Sequence, residues 1–166
     1  MICNLPRNNF INDKWKGKKG ETAVKDFYNS NGYCVIDVSE DKTFQKADID
    51  LIVNDKYVEV KTQSSIYKRN EITLEIEISY YDDLYLKGWF YSTEADILVF
   101  YDKENNIAYN IDTAELREIY QEFKEEFDEY YFDEDYKVSR LAYINIDLLK
   151  KYSKTLEILN YNFLTA

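Results

Sequence analysis

The chain of 166 residues contains no histidine, one proline, four glycines and two cysteines. The lack of histidine excludes Ser-His-Asp and Cys-His catalysis. Because Cys3 and Cys34 are the only cysteines, the chain also lacks the ligands for the usual structural zinc sites and for a disulfide framework. The scarcity of proline and glycine leaves little sequence that resembles a linker. Proton or phosphoryl chemistry must therefore use carboxylates, lysine, tyrosine or a hard metal ion.

Long apolar runs are also absent. No stretch approaches the length that spans a membrane, and the first twenty residues lack the apolar core of a signal peptide. We therefore expect a cytoplasmic protein that does not contact a membrane. The length fits one domain, so residues 1–166 are expected to form a single unit with a real core.

The formal net charge of -11 argues against a general nucleic-acid binder. The charge is uneven, however. Residues 1–75 carry twelve basic and twelve acidic residues, whereas residues 112–135 carry eleven acidic and two basic residues. The first half therefore remains able to bind phosphate.

The acidic segment also shows a helical pattern. Apolar residues recur on one stripe over 113–127, namely Leu116, Ile119, Tyr120, Phe123 and Phe127. We interpret 112–135 as an acidic helical segment. It can be a solubilising outer face, a surface for a partner protein, or a DNA-like shield over a site.

The remaining pattern predicts a mixed α/β domain with a central sheet. A helix is predicted over 17–30, ended by Asn31-Gly32. Predicted strands cover 33–38, 48–53, 56–62, 71–79, 96–102, 105–111 and 141–147. A short helix or loop is expected over 80–95, and a short helix over 148–159.

The most informative segment is DIDLIVNDKYVEVKT, residues 48–62. Alternation along a strand puts Glu59 and Lys61 on one face and the apolar residues Val58 and Val60 on the other. If the two strands form a hairpin, Asp50 comes within reach of Glu59 and Lys61. Two carboxylates repel each other unless a cation lies between them. Mg²⁺ or Mn²⁺ suits such a site, since both prefer oxygen ligands.

Asp50 followed by Glu59-Val60-Lys61 resembles the motif of the PD-(D/E)xK nuclease superfamily, with Ile49 in place of the proline. The segment GETAVKDFYNSNGY resembles the first helix of Holliday-junction-resolvase-like members, in which a glutamate points at the site; Glu21 occupies that place. KGWFYSTEADILVFYD resembles a segment of small phage and bacterial nuclease-like proteins. The resemblance covers residues 17–101.

This resemblance implies a restriction-endonuclease-like core and magnesium-dependent hydrolysis of DNA. Asp50 and Glu59 would bind Mg²⁺ together with the Val60 carbonyl. Lys61 would position the attacking water, and Glu21 would support the metal or its water. Asp48 is a rival for the role of Asp50, because both lie on the same face of the strand.

Basic and polar residues near the motif are candidates for contacts with nucleic acid: Lys18, Lys19, Gln63 and Arg69. Each can equally be part of a solvated helix entry or a simple loop. Three interpretations of function remain open. The chain is a nuclease, which can act as a homodimer; a non-catalytic acidic interaction protein on the same fold; or a nuclease subunit that needs a protein partner to grip DNA.

Overall fold

The computed structural model describes residues 7–134 and 136–163. Its helices and strands, in chain order, are α1 (Arg7–Ser30), β1 (Val35–Asp37), α2 (Lys42–Lys46), β2 (Leu51–Val53), β3 (Lys56–Gln63), α3 (Ile66–Arg69), β4 (Glu71–Tyr80), β5 (Tyr85–Lys87), α4 (Trp89–Ser92), β6 (Ile97–Asp102), β7 (Ile107–Asp112), α5 (Thr113–Phe123), β8 (Asp128–Glu134), β9 (Lys137–Asn145), α6 (Ile146–Tyr152) and β10 (Glu157–Asn160). Short 3-10 turns cover Lys124–Glu126 and Tyr161–Phe163.

The strands form two sheets. The larger has the order β1-β2-β3-β6-β7-β10, and the smaller has the order β5-β4-β9-β8. Strands β3 and β6 are parallel, and the other pairs in the larger sheet are antiparallel. The predicted α/β class with a central mixed sheet flanked by helices is confirmed.

The main core lies between the two sheets. Every second side chain of β4 and β9 points into this core, because side chains alternate along a strand. These apolar side chains pack against those of β6, β7, α5 and α6. The fully buried members include Ile72, Leu74, Ile144, Leu98, Phe100, Leu116 and Leu149. This shared apolar core holds the two sheets together.

The other face of the larger sheet is covered by α1. Val24 and Tyr28 pack there against Val58 and Val60 of β3. The alternate β3 residues Glu59 and Lys61 stand opposite Leu98 and Phe100 in the parallel register, so they face the smaller sheet. The predicted division of β3 into two faces is therefore present.

Helix α1 approaches β3 closely at Gly20. A Cβ atom at this position would lie 1.7 Å from Oγ1 of Thr62, which no real pair of atoms tolerates. A glycine is needed where the helix backbone comes this close to a side chain of the strand. The contact fixes α1 against β3 next to Glu21, the residue that follows Gly20.

Several predicted boundaries were wrong. Helix α1 begins at Arg7 rather than near residue 17. The segment predicted as acidic helix over 112–135 is helical only to Phe123, and Asp128–Glu134 forms β8; Asp135 lies outside the described residues. Tyr130, Tyr131 and Phe132 favour a strand, and their pairing with β9 outweighs the acidic residues around them.

The last predicted helix also differs from the structure. It was expected over 148–159, whereas α6 ends at Tyr152 and Glu157–Asn160 pairs with β7 as β10. Residues 80–95 hold the short strand β5 and the single turn α4. Within the described part of the chain, no helix combines the length and the apolar character needed to cross a membrane.

Candidate active site

The site begins with the hairpin of β2 and β3, in which Leu51 lies opposite Val58. The Asp50 main-chain N–H donates to the Val58 carbonyl at 2.9 Å. The Val60 N–H donates to Oδ2 of Asp50 at 2.8 Å. These two hydrogen bonds hold the Asp50 carboxylate against the strand segment that carries Glu59 and Lys61.

Glu59 and Lys61 form an ion pair on the face of β3 toward the smaller sheet. Glu59 is 4% exposed, whereas the Lys61 side chain is 25% exposed. The Lys61 ammonium also lies 4.7 Å from the centre of the Trp89 ring, within the range of a cation–π contact. Lys61 is therefore held between a buried carboxylate and an aromatic face, with part of its surface open to solvent.

The carboxyl groups of this site resist ionisation. Burial raises the pKa of Glu59 to about 8; Lys61 opposes the shift, and Asp50 adds to it. Burial also raises the pKa of Asp50, although the Val60 N–H and Lys61 act in the opposite direction. Burial alone would lower the pKa of Lys61, but Glu59, Asp50 and Asp48 together outweigh burial and raise this pKa. The site thus has more buried acid than one lysine can neutralise.

Glu21 extends this cluster from α1. Burial and the Asp50 carboxylate raise the pKa of Glu21, whereas Lys18 lowers it. Oε2 of Glu21 lies 3.4 Å from the Lys18 ammonium; this atom is buried, and no described residue donates a well-aligned hydrogen bond to it. The structure therefore couples Glu21 electrostatically to Asp50.

Asp48 has a different environment from Asp50. Its backbone is left-handed, with φ of 51°. Its Oδ2 accepts a hydrogen bond from Ser92 at 2.8 Å, and its carbonyl accepts one from Thr93 at 2.9 Å. Asp48 thus binds the C-terminal end of α4, while Asp50 is the aspartate bonded to β3. Asp48 still acts on the site at longer range, because it raises the pKa values of Asp50 and Glu59.

The predicted nucleic-acid contacts occupy different positions. The Gln63 amide bonds to both main-chain groups of Thr73, at 2.7 and 3.0 Å, and ties β3 to β4. Lys18 donates to Ser39 at 2.7 Å and lies 3.4 Å from Glu40. Lys19 is exposed on α1.

Arg69 is exposed at the end of α3 and donates to the Ser64 carbonyl at 3.3 Å. The structure places Lys18 beside Glu21 and bonds the Gln63 amide to the main chain of Thr73. A contact of these four residues with nucleic acid stays a prediction.

Trp89 belongs both to the edge of the main core and to the lining of the site. Its ring packs 6.1 Å from that of Phe100 and lies under the Lys61 ammonium. Its position depends on Gly88, where a Cβ atom would lie 2.2 Å from the Glu75 carbonyl. The pair Gly88-Trp89 was visible in the sequence, but its contact with Lys61 depends on a fold that local pattern does not define.

A metal at this site would need ligands beyond carboxylates. Within residues 7–134 and 136–163, no three His, Cys, Asp or Glu side chains are grouped as a metal site. Asp50 and Glu59 supply two carboxylates, and main-chain carbonyls of β3 are adjacent. Mg²⁺ commonly binds through one or two carboxylates and completes its shell with water and substrate phosphate, so the donor set fits that ion.

Comparison with known proteins adds little to this geometry. No protein-family model matches the chain, and no curated protein matches it in sequence. The fold is similar to that of the bacterial homing endonuclease I-Ssp6803I, with a TM-score of 0.46 and 17% identity over 60% of this chain and 68% of that one. At this level of similarity, the match carries no weight for function, which is inferred from the site itself.

Proposed function

We propose that this protein is a divalent-metal-dependent nuclease of the PD-(D/E)xK type that hydrolyses phosphodiester bonds in DNA. The observation that carries the proposal is the hydrogen bond from the Val60 N–H to the Asp50 carboxylate. It joins the aspartate to the strand on which Glu59 and Lys61 already form an ion pair. Those three residue types on one hairpin are what metal-assisted phosphoryl chemistry requires.

The electrostatics of the site support a bound cation. Burial raises the pKa values of Glu21, Asp50 and Glu59, and Asp50 adds to the shift at the other two; a divalent ion would stabilise the charged forms of these carboxyl groups. Asp50, Glu59 and the Val60 carbonyl are the residues that would hold it. When bound, the ion polarises a phosphoryl oxygen and lowers the pKa of a bound water.

The side chains of the chain would then divide the remaining work. Lys61 offers ammonium protons to the attacking water and to the negative charge on phosphate. Its stem and charge are fixed by Trp89 and Glu59, which limits the entropy lost when it meets substrate. Glu21, which is partly exposed and paired with Lys18, can accept a proton or a hydrogen bond from water.

Metal-dependent stabilisation provides the first test. Mg²⁺ or Mn²⁺ at 100 times its Kd should raise the free energy of unfolding by about 2.7 kcal/mol. Asp50→Ala should abolish this gain, whereas Asp26→Ala, which removes an exposed carboxylate of α1, should keep it. An equal response of the two variants, or no response of the wild type with and without DNA, would count against the site.

Activity is tested on linear, circular, single-stranded and branched DNA with Mg²⁺ or Mn²⁺ and with EDTA controls. We expect cleavage that EDTA abolishes and that Asp50→Ala and Glu59→Ala remove. Asp26→Ala should cleave as the wild type does.

A non-catalytic interaction protein is the second candidate. The observation that favours it is the acidic strand β8, on which Tyr130, Tyr131 and Phe132 are exposed. A wild type that cleaves no form of DNA or RNA and gains no stability from metal would favour this alternative. Cleavage that appears only when a second protein is added would instead indicate a nuclease subunit.

A further inference from the structure

The outer edge of the smaller sheet is formed by β8, which is seven residues long. Strand β9 pairs with it from Asp128 opposite Tyr143 to Glu134 opposite Lys137. In the described part of the chain, no strand pairs with its other side. An edge strand presents unpaired N–H and C=O groups on that side, and these can bond to an added strand.

This edge exposes three consecutive aromatic residues. Tyr130 is 56% exposed, Tyr131 is 72% exposed and Phe132 is 57% exposed. Successive residues of a strand point to opposite faces, so aromatic rings stand on both sides of the edge. Runs of neighbouring exposed apolar residues mark interaction sites when they occur in a folded protein.

The charges around these rings define what can bind. Residues 128–134 contain four acidic residues and no basic residue. Two basic residues of β9 offset part of this charge, because Arg140 pairs with Glu129 at 3.2 Å and Lys137 pairs with Glu134 at 3.1 Å. Four carboxylates against two cations leave this edge with a net negative charge.

That net negative charge disfavours two classes of occupant. A second copy joined through β8 would bring carboxylates opposite carboxylates, which destabilises a strand pair. The phosphates of nucleic acid would be repelled in the same way. A segment rich in lysine or arginine would instead gain from the carboxylates while it pairs with the main chain.

We propose that β8 binds an extended, lysine- or arginine-rich segment of another protein, which adds to the smaller sheet as a further strand. Main-chain hydrogen bonds supply affinity in this mode of recognition, and side-chain contacts supply specificity. The aliphatic stems of lysine and arginine pack along aromatic rings while their charged ends reach the carboxylates. The inference does not depend on the nuclease proposal.

The test uses the full-length protein and a short peptide of alternating lysine and valine. The control peptide has the same sequence with N-methyl groups on alternate residues, so that charge is kept and strand pairing is blocked. We expect saturable binding of the first peptide, weakening as salt rises, and slower amide hydrogen exchange within residues 128–134. Equal binding of both peptides, or exchange protection elsewhere, would overturn the proposal.

Side-chain substitutions provide the second arm. Tyr131→Ser combined with Phe132→Ser should weaken peptide binding by about tenfold or more. Tyr85→Ser, which removes a 64% exposed tyrosine from the opposite edge strand β5, should leave it unchanged.

If the double variant fails to fold, Asp128→Asn with Asp133→Asn tests the same surface through charge and should also weaken binding. Unchanged affinity in a folded β8 variant would refute the assignment. Self-association through β8 that competes with the peptide would refute the choice of occupant.

Discussion

The contact between α1 and β3 can be tested with two glycines of the same helix. Gly17 and Gly20 both lie within α1. A Cβ atom at Gly17 would meet nothing within 4 Å, whereas one at Gly20 would meet Oγ1 of Thr62 at 1.7 Å and its Cβ at 3.0 Å. Alanine in place of a helical glycine ordinarily stabilises a helix by about 1 kcal/mol. Gly17→Ala should therefore gain about this amount.

At Gly20 the same gain is opposed by a clash. Rotation of the stiff Thr62 side chain moves Oγ1 but not Cβ, so the 3.0 Å contact with Cβ persists unless the strand shifts. Overpacking of this kind costs about 1–3 kcal/mol. The two alanine variants should therefore differ by about 1–3 kcal/mol in the free energy of unfolding, measured by urea titration with equal slopes.

A second substitution locates the cause. The Thr62 hydroxyl is buried and has no hydrogen-bond partner among the described residues, so Thr62→Ala alone should cost little. In the double variant, Thr62→Ala should restore most of the stability that Gly20→Ala loses. The effects of the two substitutions should therefore not add, as expected for residues in contact. If Gly20→Ala stabilises the protein as Gly17→Ala does, or if the two losses simply add, the close approach of α1 to β3 is wrong.

Three further predictions concern single side chains. The pKa of Glu59 is about 8 in the folded protein and near 4.5 when unfolded, so between these pH values the folded protein holds a proton that the unfolded chain has lost. Without metal, the free energy of unfolding should therefore fall as pH rises from about 5 to about 8. Glu59→Gln should flatten this slope. Partial burial acts to raise the pKa of Glu115, but hydrogen bonds from Ser153 and Thr155 outweigh it and lower this pKa to about 2. Glu115→Ala should therefore lower the free energy of unfolding by about 1–2 kcal/mol at neutral pH, measured by urea titration. The difference in stability between the variant and the wild type should vanish as pH falls from about 4.5 to about 2. Trp89→Leu removes the aromatic face under the Lys61 ammonium and should lower the pKa of Lys61, because the charged form loses a cation–π contact. NMR titration measures this change, and an unchanged pKa would mean that the ring only fills space.

The sequence was most informative along β3, where charged residues alternate with apolar ones. Glu59 and Lys61 share a face because the side chains of a strand alternate, and the pattern of Val58 and Val60 showed which face is apolar. The structure has both features, and β3 is close to its predicted bounds, whereas β2 begins at Leu51 rather than at residue 48.

The failures came from tertiary contacts and from composition. Strand β8 was predicted as helix because acidic residues and a helical stripe continue to Phe127, while the pairing of Tyr130, Tyr131 and Phe132 with β9 is non-local. The main-chain role of Gln63 was equally hidden, since its partner Thr73 lies on the next strand. Local pattern carries no signal for either contact.

The central claim is that Lys61 acts on substrate beside carboxylates that hold a metal. The most direct measurement is the single-turnover rate of DNA cleavage by Lys61→Met, compared with the wild type at saturating Mg²⁺. Methionine keeps a stem that can lie on Trp89 but removes the ammonium. Glu59 then loses its cation and, with its raised pKa, can hold a proton in the absence of metal.

Loss of a group that orients water and steadies phosphate charge should lower the rate about a hundredfold or more. Metal should still stabilise the variant, because Asp50 and Glu59 remain. A Lys61→Met protein that folds, gains stability from Mg²⁺ and cleaves DNA at the wild-type rate would contradict the account.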